Sequence, residues 1–264
     1  MWCRVFTSMT ETSFRLPENP SECERNSPRL GIVGGYGPLT SALFCQRVVT
    51  YALHRCPAQA PAFIMDSRPV RFADVHDCIC GEKEATRRLV RLANAGIRRL
   101  AAFGIQRIVI PCNSVHALWE EFDVPEGVDL LHIADPLVAR LANRGYRRIG
   151  LLASGMTMEH DVYPSRLKRV EIESIRPSAQ LQERLNNEIA AFVQHGTVSH
   201  MARELLDDLV REFDAQQVEV VALACTDLAT ILEQGRFSLA LPIEDSMDAL
   251  AEECARYCTG CPSE

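Results

Sequence analysis

Two stretches of this chain end an apolar run at a cysteine and then turn polar: IVIPCNSVH over residues 108–116 and VVALACTDL over residues 220–228. Each run reads as a strand, and the residues after each cysteine, Asn113-Ser114 and Thr226-Asp227, are of the type that caps a helix start. A thiol at such a junction lies near the positive end of a helix dipole and near free N–H groups, which favour the thiolate. Free cysteine titrates near ~8.5, so a modest local drop yields a base usable near neutrality. Two such thiols facing one cleft would form a two-base proton-transfer device. Taken singly, either cysteine reads as a small buried apolar residue; the pairing is what points to chemistry.

The bulk properties narrow the classes. The chain has 264 residues, enough for one large domain or two modest ones with a substantial core. Apolar residues make up 47% and charged residues 24%, as in ordinary globular proteins. The formal net charge of −7, with no basic run or aromatic platform, argues against nucleic acid as a partner. No apolar stretch is long enough to span a bilayer. Residues 1–28 have no apolar signal-peptide core and contain Glu11, Glu18, Glu22 and Glu24. They read as a flexible extension rather than a targeting segment, so the cytoplasm is the expected location. The 11 cysteines, an odd number, are poor evidence for a disulfide framework. Cys254, Cys258 and Cys261 have metal-like spacing but lack the second ligand pair of a zinc site, so no metal is expected.

The elements that must position the two thiols alternate between strand and helix, the pattern of parallel α/β architecture. Strands are predicted at 30–34, 62–66, 107–111, 130–133, 148–153, 170–173 and 218–224. Helices are predicted at 38–54, 82–103, 136–144, 158–168, 179–195 and 199–214, with a last one near 246–257. Arg29-Leu-Gly-Ile-Val-Gly-Gly echoes Arg148-Ile-Gly-Leu-Leu-Ala-Ser, and Leu30 and Ile149 are separated by nearly the same stretch as Cys112 and Cys225. The echo predicts two similar Rossmann-like lobes with parallel sheets and the active site in the cleft between them. The expected lobes are residues 29–122 with 242–264, and residues 123–241. Ligands of such sheets bind beyond the carboxyl ends of the strands, where both cysteines lie.

The set Gly34-Gly35-Tyr36-Gly37-Pro38, Pro111-Cys112-Asn113-Ser114-Val115-His116, Gly150-Leu151-Leu152-Ala153 with Thr157-Met158-Glu159, and Ala224-Cys225-Thr226-Asp227 resembles the aspartate/glutamate racemase superfamily, closest to its cofactor-independent aspartate racemases. The resemblance covers about residues 30–248. It implies that one cysteine, as thiolate, removes the α-proton of an amino acid while the other, as thiol, protonates the opposite face. Neither pyridoxal phosphate nor metal is then needed. Asn113, Ser114 and Thr226 match the family positions that stabilise the carbanion through the α-carboxylate. Gly35 and Tyr36 fall in the first turn, Tyr36 standing where methionine is common. Arg71, in the segment Ser67-Arg68-Pro69-Val70-Arg71, matches an arginine that clamps a side-chain carboxylate; a solvated loop arginine is the competing reading. His116 either orients the site or packs on the helix, and Asp227, standing where glutamate is usual, either positions Thr226 or bears on the state of Cys225. Near Tyr163 the lysine of aspartate racemases is absent, and Arg166 is the candidate replacement.

The expected function is therefore a cofactor-independent racemase acting on aspartate or glutamate. Its partners would be the small amino acid and, in a homodimer, a second copy, with no nucleic acid or membrane. The alternatives are a relative of the maleate isomerases, hydantoin racemases or arylmalonate decarboxylases, or a catalytically silent ligand-binding homologue.

Overall fold

A computed structural model describes residues 29–57 and 60–260. The first-sheet strands are β1 (Leu30–Gly34), β2 (Phe63–Ser67), β3 (Arg107–Val109) and β4 (Asp129–Leu131). The second sheet holds β5 (Arg148–Ala153), β6 (Glu173–Ile175), β7 (Val220–Ala224) and β8 (Ile243–Asp245). Their orders are β2-β1-β3-β4 and β6-β5-β7-β8, and every pairing is parallel. The same order twice is the structural counterpart of the sequence echo, with β1 matching β5 and β3 matching β7. The central strands are covered on both faces, which is why they read as unbroken apolar runs; β1 and β7 are buried at every residue.

The helices that concern the site are α1 (Pro38–Arg55), α2 (Phe72–Ile79), α3 (Lys83–Ala102), α4 (Ala134–Asn143), α5 (Gly155–Glu159), α6 (Pro164–Arg169), α7 (Ala179–His195), α8 (Ala202–Ala215), α9 (Thr226–Gly235) and α10 (Ser246–Thr259). Pro38 occupies the first turn of α1, where its missing N–H costs nothing. A 3-10 helix, Ser114–Glu121, follows Cys112, interrupted at Leu118 by a non-helical backbone.

The sheets divide later along the chain than the expected lobes do. Strand β4 lies beyond residue 122 yet hydrogen-bonds to β3 of the first sheet. Strand β8 begins at residue 243 yet pairs with β7 of the second. A boundary drawn from the echo between the halves misses this, because a three-residue edge strand carries too little pattern to show which sheet it joins. Helix α10 returns to the first lobe, packing chiefly on α1. It is fastened there by Tyr51, whose Oη donates to Asp248 at 2.6 Å, and by Arg140 of α4, which reaches the same carboxylate at 2.8 Å. The sequence-based strand over 170–173 is displaced to Glu173–Ile175, and the helix expected over 158–168 is two short helices, α5 and α6. Helix α2 was not foreseen; its single apolar turn after Pro69 resembles loop. Residues 1–28, the expected extension, and Cys261 lie outside the described residues.

One apolar cluster runs through both lobes, joining Ile32 and Val109 of the first sheet to Leu152 and Leu223 of the second. The cleft is thus the seam of a shared core, and polar groups held there are shielded from water.

Candidate active site

The seam opens, at the carboxyl ends of β3 and β7, into a small cavity. Cys112 and Cys225 both line it, with Asn113, Ser114, Thr226, Asp227 and Tyr36. Its volume is about 20 Å³, room for about one water molecule. Any ligand larger than water requires the lining elements to separate.

The two thiols are presented differently. Cys225 is the N-cap of α9, with extended backbone (φ −142°, ψ 121°), and is 6% exposed. Cys112 keeps partial exposure and sits in a tight turn, its N–H donating to the carbonyl of Ile110 at 2.8 Å. Burial is the largest influence on both, and it pushes both thiols well above the ordinary thiol range. Amide N–H groups oppose the shift: those of Val115 and Ser114 act on Cys112, those of Asp227 and Leu228 on Cys225. The helix-start donors expected from the sequence are therefore present, yet desolvation outweighs them in the closed cavity. Its resting form is thiol facing thiol.

Asp227 adds to that resistance, since its negative charge disfavours either thiolate. Burial also lifts Asp227 itself, to about 6, against a hydrogen bond from Thr40 Oγ1 that lowers it. Thr40 belongs to α1, so this contact ties the first lobe to the helix start beneath Cys225. It depends on Gly37, because a Cβ there would come within 2.7 Å of Asp227 Oδ1.

Asn113 is held at both ends of its amide. Tyr163 Oη donates to its Oδ1 at 2.5 Å, and its Nδ2 donates to Ser246 Oγ at 3.1 Å. One Nδ2 hydrogen remains for a ligand. The Ser114 hydroxyl pairs with Ser154 Oγ at 2.7 Å, which in turn meets Thr157 Oγ1 at 3.1 Å. Thr226 Oγ1 donates, weakly at 3.4 Å, to the Pro111 carbonyl beside the opposite cysteine. The two junctions are thus cross-linked by polar side chains, and each is buttressed by the other lobe.

Gly35 has a positive φ of 100°, and a Cβ there would lie 2.4 Å from the Arg68 carbonyl, so only glycine fits. Tyr36 is 4% exposed and donates to the Leu89 carbonyl at 3.1 Å, leaving its ring as cavity wall. His116 lies behind the Cys112 loop, stacked on Trp119 at 5.6 Å. Its Nδ1 is 2.8 Å from the Cys112 carbonyl, a partner that can only accept, so Nδ1 carries the proton. Burial depresses its pKa to about 4, and the neutral imidazole is a brace for the cysteine's backbone.

Two basic residues singled out by the sequence are elsewhere. Arg71 Nε and NH2 both bond Asp74 at 2.8 Å, with the side chain 73% exposed. Arg166 is bound to Asp135 at 2.8 Å and to the Val162 carbonyl at 3.2 Å. Conversely, Val75, Cys78 and Ile79 of α2, Leu89 of α3 and Ile189 of α7 line the cavity without having been marked by sequence reasoning. The supporting Tyr163, Ser246, Ser154 and Thr40 were missed as partners too; hydroxyl contacts across 40 to 187 residues leave no local signal.

The architecture defines a two-lobed α/β protein that brings one thiol from each lobe to a single shielded cavity. A family profile described as Asp/Glu/Hydantoin racemase matches residues 33–254, and the chain belongs to that family. It is an isomerase of the racemase type. The chain is 26% identical over 227 residues to the broad specificity amino-acid racemase RacX of Bacillus subtilis strain 168, covering 84% of this chain and 95% of that one. Among solved structures, the Picrophilus torridus aspartate racemase matches with a TM-score of 0.69 and 21% identity, over 87% of this chain and 94% of that one. The glutamate racemase of Francisella tularensis subsp. tularensis SCHU S4, in complex with D-glutamate, matches with a TM-score of 0.57 and 15% identity, over 86% and 79%. These structures share the fold. Among the described residues, no helix is long and apolar enough to cross a membrane.

Proposed function

We propose that this racemase inverts free amino acids by passing the α-proton between Cys112 and Cys225, without pyridoxal phosphate or metal. The observation that carries the reading is a strand-end thiol from each lobe, Cys112 and Cys225, lining one shielded cavity. On substrate binding, one cysteine releases its proton to water entering with the substrate. Its thiolate then takes the α-proton, forming S–H as C–H breaks, while the other thiol gives its proton to the opposite face of the carbanion and is left as the thiolate. Reversal of the roles, starting from that thiolate, returns the other enantiomer. The weakly acidic α-proton requires stabilisation of the carbanion. The free Nδ2 hydrogen of Asn113, the Ser114 hydroxyl, the Thr226 hydroxyl on release from its weak bond to the Pro111 carbonyl, and the amides at the two helix starts supply donors to the α-carboxylate.

The raised thiols fit a site that is activated by opening. Admission of a zwitterion hydrates the cavity and brings an ammonium group toward Asp227, both of which favour a thiolate over the closed state. Aspartate and glutamate, the substrates expected from the sequence, would need a cation for the second carboxylate. Arg71 would have to leave Asp74 to provide it.

Incubation of dialysed enzyme with single amino acids in D₂O, followed by NMR, tests the proposal. The expected result is α-deuteration with loss of optical purity in the absence of any added cofactor. Activity that vanishes on dialysis and returns only with pyridoxal phosphate or a divalent metal would overturn it.

A further inference from the structure

The geometry points to a substrate whose side chain is uncharged and apolar, a reading that rests on the proposed racemisation at this cavity. Besides Cys112, Cys225 and their polar neighbours, the wall consists of the Tyr36 ring, the Cys78 thiol and four aliphatic side chains, Val75, Ile79, Leu89 and Ile189. These aliphatic groups come from α2, α3 and α7, so both lobes contribute to one apolar surface. Asp227 is the lone carboxylate among the described lining residues, and no arginine or lysine is among them.

The arginines adjoining α2 and α3, and Arg166, are paired with carboxylates. Arg71 and Arg88 share the Asp74 carboxylate, each at 2.8 Å. Arg68 bonds Asp66 at 3.1 Å and Arg166 bonds Asp135 at 2.8 Å. A substrate carboxylate placed against the aliphatic wall would lose its water, find no cation and meet the field of Asp227. A cationic side chain could pair only with Asp227, which the substrate ammonium already faces. An apolar side chain meets none of these penalties and gains about fourfold in affinity for each CH₂ it buries.

The same wall explains how so small a cavity admits a ligand. Helix α2 belongs to the first lobe but packs on α5 and α7 of the second. Val75 and Ile79 share a core cluster with Leu185 and Ile189 of α7. Drawing α2 away from α7 enlarges the cavity at the cost of that apolar contact. A substrate side chain entering the gap between Val75 and Ile189 restores the burial, whereas a charged one leaves the gap wet. The selectivity surface and the moving cover are thus one element, and Val75 and Ile79 are its specificity-determining residues.

The test compares α-deuterium exchange for alanine, 2-aminobutyrate, methionine, leucine, aspartate, glutamate and lysine, alongside binding of each by saturation-transfer NMR. Expected is a rise in kcat/KM of a few-fold per CH₂ from alanine to methionine or leucine, with aspartate, glutamate and lysine at least 100-fold below methionine. Val75→Ala should change the preference for leucine over alanine by threefold or more. Aspartate or glutamate preferred over methionine would overturn the inference and leave racemisation standing. Selective binding of methionine without exchange of any amino acid would uphold the apolar wall and overturn the racemase reading. Neither binding nor exchange of any of the seven would overturn both.

Discussion

The two cysteine junctions are built on equivalent strands, β3 and β7, of sheets with the same strand order. They nevertheless end differently. After β7 the chain passes directly from Ala224 into Cys225, which caps a regular α-helix. After β3 it passes Ile110 and Pro111 before Cys112 and then enters a 3-10 helix broken at Leu118. The tighter turn leaves Cys112 partly exposed and braced from behind by His116, while Cys225 is sealed under α9 beside Asp227. A duplicated fold thus supplies two similar acids at one cavity, and local helix geometry makes them unequal. In the proposed two-base reaction, that inequality would set which enantiomer meets the more available base.

The comparison breaks most sharply when either thiol is removed. Cys112→Ala and Cys225→Ala should each reduce racemisation by more than about 10³-fold, because each direction needs both a base and an acid. Each single variant should retain α-deuterium exchange for one enantiomer only, and the two variants should retain opposite ones. Racemisation at the wild-type rate by either variant would make that cysteine a packing residue.

Asp227 distinguishes the sealed junction from the open one through stability. Its folded pKa, about 6, lies above the ordinary carboxylate value, so the folded protein holds this proton more tightly than the unfolded chain. The associated stability is fully present below about pH 4 and is lost as the pH rises to about 6. Asp227→Asn does not titrate, so its stability relative to wild type should climb by about 2 kcal/mol across that window, a value trimmed because Asp227 keeps partial exposure. Urea denaturation of both proteins between pH 4 and pH 7 measures the difference. A constant offset across the window would show that Asp227 is ionised throughout.

The smallest expected effect concerns accessibility. With both thiols raised by burial, alkylation by iodoacetamide should be slow at pH 7 and accelerate as the pH climbs past the ordinary thiol range. Cys112, partly exposed and farther from the α9 seal, should react about tenfold faster than Cys225. Asp227→Asn should accelerate both, Cys225 more. Peptide mapping after timed labelling reads the two rates, and equal rates would remove the proposed inequality.

How much of this was legible in the chain follows from range. The strand-to-cysteine junctions, the Gly35 turn, the Pro38 helix start and the long amphipathic α3 are local patterns, and all are readable within a dozen residues. The echo between halves was also visible, because repeating an architecture repeats its apolar periods. Short pieces were lost or misplaced: β8, three residues long, and α2, an amphipathic stretch after a proline, were not foreseen, while β4 was expected as a strand but assigned to the wrong lobe.

What the sequence by itself determined is therefore the class of fold, the pair of thiols and the family. These depend on residue type and on spacing along the chain. Only the tertiary structure decided which groups share the cavity with those thiols and in what state. It turned Arg71 outward onto Asp74, brought Val75 and Ile79 against Ile189, and gave Asn113 to Tyr163 and Ser246. It also reversed the expected sign of the thiol shift, because the dipole of a helix start acts within one turn of sequence, whereas desolvation is imposed by every element that closes over the site.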